Sequence, residues 1–260
     1  MLLGVFLIVG MIGQGLAGEA GLGAELDDED RLAKRVALLE GRFVYERHCQ
    51  LCHGRRGDGR GKWAASLKPP PRSFRDAEFK YRSTQFGKLP VEADLIKTIR
   101  GGRSNTAMGM FDKLSDRQVN AVVAYIKMFS SKWKDSSRRS SPLRLPSEPD
   151  WLTKPNELVK AVQRGRSRFV SLCAPCHGEG ADGTGPQAAS LEDFKGRPMK
   201  PANLLSAHLR CGDGDEDLVR LIMTGMNGTP MLGFADVLSG DEIWELVVYL
   251  KILRAKARLQ

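Results

Sequence analysis

The chain has 260 residues, 42% of them hydrophobic and 27% charged, with a formal net charge of +9. That balance allows a packed globular fold and excludes wholesale disorder. Aromatic residues make up only 7%, whereas glycines number 28 and prolines 13, which suits modest helices joined by long loops better than a strand-rich sandwich. The positive charge fits an acidic partner or an anionic membrane surface. No nucleic-acid motif or single dense basic face is present, so nucleic acid is not an expected partner.

In chain order, the first feature is residues 1–17, MLLGVFLIVGMIGQGLA, which are apolar and contain no Lys or Arg. An apolar core of this size followed by small residues, here Gly15-Leu16-Ala17 or Gly18-Glu19-Ala20, is the pattern of an export signal. The basic residues that usually precede such a core are missing. A membrane span needs ~20 apolar residues, and this run is shorter and contains Gln14. Residues 1–20 are therefore read as a cleaved signal peptide, with an uncleaved N-terminal anchor as the alternative. On either reading the remainder is expected in the periplasm, or anchored and facing it, with membrane contact through residues 1–17.

Four of the five cysteines fall into two copies of one pattern: Cys49-Gln50-Leu51-Cys52-His53 and Cys173-Ala174-Pro175-Cys176-His177. Cys-x-x-Cys-His is the attachment signature of c-type haem. Two thiols three residues apart at a helix end face one porphyrin edge, where each forms a thioether with a vinyl group. The following His then gives the iron a ring nitrogen. A zinc site needs four ligands, and each cluster offers three within five residues. A thioredoxin-like redox pair has no use for the His. Two complete copies favour two haem c groups.

A haem iron has a sixth position, and each half offers a methionine at a matched distance. Met108 lies 55 residues after His53, and Met231 lies 54 residues after His177. In both loops Thr stands two residues before the methionine and Phe three after it. Thioether sulfur suits haem iron and raises its potential relative to a second His. Met110 is the rival of Met108, which is preferred because it aligns with Met231. Met223 and Met226 are expected to pack the core. The repeat extends to Gly54, Asp58, Gly59 and Gly61, which align with Gly178, Asp182, Gly183 and Gly185. Gly185-Pro186 is a candidate source of the backbone carbonyl that accepts from the His177 ring N–H.

Helical patterns frame both sites. Phe43 and Tyr45 precede the first motif, and Phe169 and Leu172 the second. Residues 91–100 and 215–224 carry apolar positions at helical spacing and stop at glycine. Ser115 with Gln118 and Ser239 with Glu242 are capping boxes that start a last helix in each half. The stripes Val119, Val122, Val123, Ile126 and Ile243, Leu246, Val247, Leu250 are predicted to face inward. Between the halves, residues 132–154 are rich in serine, proline and charge and read as an extended linker. Trp133, Leu143, Leu145 and Trp151 are available there to pack on a surface.

With CQLCHG, CAPCHG, both methionine loops and the final helices VVAYIK and LVVYLK in view, the sequence resembles a tandem class I cytochrome c. The resemblance covers roughly residues 28–131 (domain 1) and 155–254 (domain 2). It implies an all-α fold of two domains, each with about three to five helices around one covalent haem. It also implies Cys49, Cys52, His53 and Met108 as the first haem-binding set, and Cys173, Cys176, His177 and Met231 as the second. Residues 79–102 resemble periplasmic dihaem cytochromes that work beside respiratory enzymes.

Cys211 is left over. Its alternatives are a replacement iron ligand for Met231 or an interchain bridge; a small residue packed in a turn is the simpler account. His208 and His48 are expected at the surface or in packing. No nucleophile–base pair is visible, so no catalytic residue is assigned. The first expectation is an electron carrier between periplasmic or membrane respiratory partners. Its rivals are a haem-c subunit of a membrane respiratory complex, and a dihaem enzyme of peroxidase or thiosulfate dehydrogenase type with one labile ligand.

Overall fold

A computed structural model describes residues 19–259, with side chains described from Asp28 onward. The expected signal peptide or anchor lies almost wholly outside that range. Among the described residues no helix is long and apolar enough to cross a membrane.

The first half opens with α1 (Glu19–His48), which runs into the short helix α2 (Gln50–His53). After a long loop come α3 (Glu92–Gly101) and α4 (Asp116–Lys127). The second half repeats the order with α5 (Pro155–Arg168), α6 (Ala174–His177), α7 (Asp215–Thr224) and α8 (Gly240–Arg258). In this half a five-residue π-helical turn, Phe169–Cys173, joins α5 to the cysteine motif. Among the described residues there is no strand beyond one isolated bridge between Glu192 and Pro198.

The terminal helices start where the capping boxes predict. The Ser115 hydroxyl accepts from the Gln118 N–H while the Gln118 side chain accepts from the Ser115 N–H. Ser239 and Glu242 reciprocate in the same way. Each box satisfies two N–H groups that a helix end would otherwise leave unpaired. The expected apolar stripes face inward: Val119, Val122 and Val123 are each 1% exposed, as are Ile243 and Leu246, and Val247 is fully buried.

The crossing of first and last helix in each half depends on a missing side chain. A Cβ on Gly41 would stand 2.0 Å from the Ala121 carbonyl oxygen, and one on Gly165 would stand 2.1 Å from that of Glu245. Tyr125 and Tyr249 occupy equivalent places beside these glycines. Four residues on, Tyr45 and Phe169 fill the two cores. Phe43, also noted from the sequence, is 62% exposed, and Leu172 is 40% exposed. Glu245 is buried within the second crossing, where Arg164 and Arg168 hold it as an ion pair.

The segment between the halves carries short 3₁₀ turns at Ser131–Lys134, Ser136–Arg138 and Asp150–Thr153. Trp133 packs on the first core, and Leu143, Leu145 and Trp151 on the second. The Leu143 N–H donates to the Ser83 carbonyl, and the Trp244 Nε1–H to that of Pro146. Proline prevents regular helix here, yet the apolar side chains tie the segment to both halves.

A direct contact also joins the halves. Arg82 is 2% exposed. Its guanidinium donates to the Thr224 and Gly225 carbonyls at the C-terminal end of α7, at 2.7 and 3.2 Å. A cation there meets both the unpaired carbonyls and the negative end of the helix dipole. Beside it the Asn227 side chain accepts from the Gly87 N–H and donates to the Lys88 carbonyl, both at 2.8 Å.

Candidate functional site

Each cysteine–histidine motif occupies one tight helical turn. The His53 N–H donates to the Cys49 carbonyl at 2.9 Å, which sets the thiol pair and the imidazole on consecutive positions of one spiral. None of the five cysteines is paired in a disulfide. Burial pushes Cys49 up to about 12 and Cys173 up to about 11. Both are therefore protonated at neutral pH.

The loop after each histidine folds back onto the motif. The Gly61 N–H donates to the Cys52 carbonyl at 3.1 Å, and the Gly185 N–H to that of Cys176 at 3.2 Å. Asp182 turns the second loop by accepting from both the backbone N–H and the hydroxyl of Thr184. The aligned glycines and aspartates thus occupy equivalent places.

The imidazoles are oriented through their second nitrogen. His53 Nδ1 lies 2.9 Å from the Arg72 carbonyl, and His177 Nδ1 lies 3.0 Å from that of Ala202. A carbonyl only accepts, so Nδ1 carries the proton and Nε2 keeps a free lone pair. This corrects the expectation that Gly185-Pro186 supplies the acceptor: Gly185 is occupied against the motif backbone. The acceptors instead follow Pro71 and Pro201. Burial lowers both imidazole pKa values, which keeps the rings neutral at pH 7. Phe74 stacks on His53 with ring centroids 4.5 Å apart.

The methionine loops match bond for bond. The Thr106 hydroxyl accepts from the Met108 N–H and donates to the Arg103 carbonyl. Thr229 does the same with Met231 and Met226. The Arg103 N–H donates to the Met108 carbonyl at 2.8 Å, and the Met226 N–H to that of Met231 at 2.9 Å. The Phe111 N–H then donates to the Ile99 carbonyl, and that of Phe234 to Ile222. Each loop departs from a glycine, Gly102 at φ +60° and Gly225 at φ +62°. A side chain there would be strained, and its Cβ would meet the loop backbone within 2.6 Å. Met108 thus occupies the place of Met231. Met110 corresponds to Gly233 and is 70% exposed. Met223 is buried in the second core as expected, and Met226 is half-buried.

The remaining candidates lie apart. His48 packs edge-on against Phe111, and His208 pairs with Asp213 at the surface. The Cys211 thiol is half-buried, and burial raises its pKa to about 11.

The donor set is one that fits haem c. In each half two unpaired thiols accompany an imidazole with a free Nε2, and a thioether stands on a loop of identical build. Among the described residues no three His, Cys, Asp or Glu side chains converge as a bare metal ion would require. Fold and site together define a protein of two tandem cytochrome c-type domains.

Comparison with known proteins gives the narrower assignment. The family described as cytochrome C oxidase, cbb3-type, subunit III, matches residues 36–126 and again residues 160–250, and the chain belongs to it. A curated relative, the Cbb3-type cytochrome c oxidase subunit CcoP of Azospirillum sp. (strain B510), is 25% identical over 86% of this chain. The match spans 64% of that relative's length. A solved structure, the Kuenenia stuttgartiensis reducing HAO-like protein complex Kustc0457/Kustc0458, contains a chain that is 34% identical. It superposes with a TM-score of 0.74 over 82% of this chain and 95% of that one.

Proposed function

We propose that the protein is a dihaem c-type cytochrome that carries electrons between redox partners outside the cytoplasm. Bound haem iron supplies the one-electron couple. Cys49 and Cys52 anchor the first haem, and Cys173 and Cys176 the second. His53 and His177 would hold the irons through Nε2, together with the Met108 and Met231 thioethers. With two protein ligands to each iron, these residues would leave no open position for substrate, which suits electron transfer rather than catalysis. Lysines and arginines outnumber acidic residues by 40 to 31, which favours brief, charge-guided docking of acidic partners.

The observation that carries this reading is the paired Nδ1–H to carbonyl bond, which leaves Nε2 of both imidazoles free to ligate. The test is expression in a host that attaches haem c. The expected product has two haems per chain that survive acid extraction, and a sharp low-spin alpha band on reduction. A ratio of one, or haem that extracts freely, would defeat it.

A fixed place in a membrane respiratory complex is a second reading, favoured by one surface feature. Leu32, Val36, Leu39 and Phe43 lie along one face of α1 at helical spacing and are 51–66% exposed. The relatives named above are a subunit of an oxidase and a chain of a protein complex. Extraction from native membranes discriminates the readings. A carrier is released by salt, whereas a subunit needs detergent and retains residues 1–17 by mass spectrometry.

A further inference from the structure

The two halves meet at a group of cations with no carboxylate partner. Eight residues after the carbonyl that orients each histidine stands a basic residue, Lys80 in the first half and Arg210 in the second. Each follows a buried core residue, Phe79 or Leu209, and precedes Tyr81 or Cys211. These equivalent pairs lie near a boundary that direct contacts close: the Asn105 side chain, two residues after Arg103, donates to the carbonyl of His208, two residues before Arg210, and Lys97 pairs with Asp217. In keeping with that closeness, Tyr81 lies within the fields of Cys211 and Arg210, and Lys80 within those of Arg210 and Arg197.

Two further cations of the first half join them. The Arg103 guanidinium lies 4.7 Å from the Tyr81 ring centroid, and its buried Nε has no hydrogen-bond partner. Arg72 donates to the Glu78 carbonyl and lies over Phe79. Arg72, Lys80 and Arg103 are half-buried, and Arg210 is exposed. Among the described residues none of the four has a carboxylate within 4 Å. The nearby acids are engaged elsewhere: Asp193 with Arg197, Asp76 with Lys195, Glu78 with Lys132 and Asp217 with Lys97. Clustered, partly buried cations without counter-charge are unfavourable, and an unpaired guanidinium N–H adds to the cost. The arrangement calls for anions at this boundary.

The anions at hand on the dihaem reading, on which this inference rests, are the two propionate carboxylates that each haem carries. Arg72 already touches His53 through its carbonyl, and Lys80 and Arg210 stand at the same chain distance from their sites. We propose that Arg72, Lys80, Arg103 and Arg210 form one carboxylate-binding cluster shared by both haems, so that cations of each half raise the reduction potential of the other half's haem. A cation near a haem favours the reduced, less positive state.

Potentiometric titration of the holoprotein tests this, using Arg210→Gln, Arg103→Gln and the charge-preserving Arg210→Lys. Arg210→Gln is expected to lower both one-electron midpoints, by about threefold in each reduction equilibrium, or about 28 mV at 59 mV per tenfold. Arg103→Gln is expected to lower both as well, and Arg210→Lys neither. A shift in a single midpoint, no shift in either, or a shift that added chloride or phosphate removes equally in wild type and variant would overturn the shared cluster. Should Arg210→Gln fail to mature, Arg103→Gln decides by the same criterion. The haem-to-protein ratio is read on the same samples. A ratio below two refutes the dihaem reading itself, whereas a ratio of two with unshifted midpoints refutes only the cluster.

Discussion

Arg82→Ala probes whether the two halves form one cooperative unit. The side chain is 2% exposed and crosses from the first half to the end of α7, where it donates to the Thr224 carbonyl at 2.7 Å and the Gly225 carbonyl at 3.2 Å. Its third contact, to Gln85 at 3.4 Å, is too long to count for much. Charged hydrogen bonds contribute about 1.5–3 kcal/mol each, so the two good ones bound the effect at about 3–6 kcal/mol. Burial lowers the guanidinium pKa to about 10. The charge stays in place at pH 7 but bears a desolvation penalty, and the lower end applies, about 3 kcal/mol. For a protein of this size that is a fall of roughly 6–12 °C in melting temperature. Guanidinium denaturation followed by circular dichroism and by haem absorbance should show two separated transitions in the variant and one in the wild type. Arg82→Met, which keeps volume and removes the charge, should cost less than Arg82→Ala, because no cavity is left and the desolvation penalty is relieved. A loss below about 0.5 kcal/mol in Arg82→Ala, with the single transition preserved, would refute the reasoning.

Three other outcomes follow from the same geometry. Met108→Leu should abolish the sulfur-to-iron charge-transfer band of one haem in the oxidised near-infrared spectrum and lower that haem's potential, whereas Met110→Leu should leave both haems unchanged; the reverse result would reassign the ligand. Gly165→Ala places a Cβ 2.1 Å from the Glu245 carbonyl oxygen, forcing α5 and α8 apart at a cost of about 1–3 kcal/mol, which chemical denaturation would report; a neutral effect would mean the crossing is looser than described. Glu242 is held down to about 2 by the Ser239 backbone N–H, then by Arg168 and the Ser239 hydroxyl. A depressed carboxylate stabilises the fold above its unfolded pKa near 4.5 and loses that contribution as pH falls toward 2. Glu242→Gln should therefore be less stable than wild type at pH 7, with the gap closing between about pH 4.5 and 2 in thermal scans; a gap independent of pH would contradict this.

The chemistry of the two sites was written in adjacent residues. Cys49 to His53 and Cys173 to His177 are local motifs, and one helical turn suffices to align their donors. The capping boxes at Ser115 and Ser239 and the inward stripes of α4 and α8 were legible for the same reason: spacing along one helix determines which side chains share a face. The internal repeat carried further, because the Thr and Phe shared by both methionine loops align Met108, and not Met110, with Met231. Pairings between distant segments were not legible. Nothing local marks the Arg72 and Ala202 carbonyls as partners of His53 and His177, since loops of different length separate them in the two halves; only the shared proline before each hints at it. Gly41 and Gly165 read as ordinary helix glycines until α4 and α8 are packed against them. Arg82 looks like any surface arginine, because its partners lie some 140 residues away at the end of another helix. Sequence alone thus determined the candidate donor sets and the helices that frame them. The orientation of the imidazoles and the joining of the halves were decided by tertiary structure, because both depend on backbone carbonyls, which every residue possesses and only folding brings within reach.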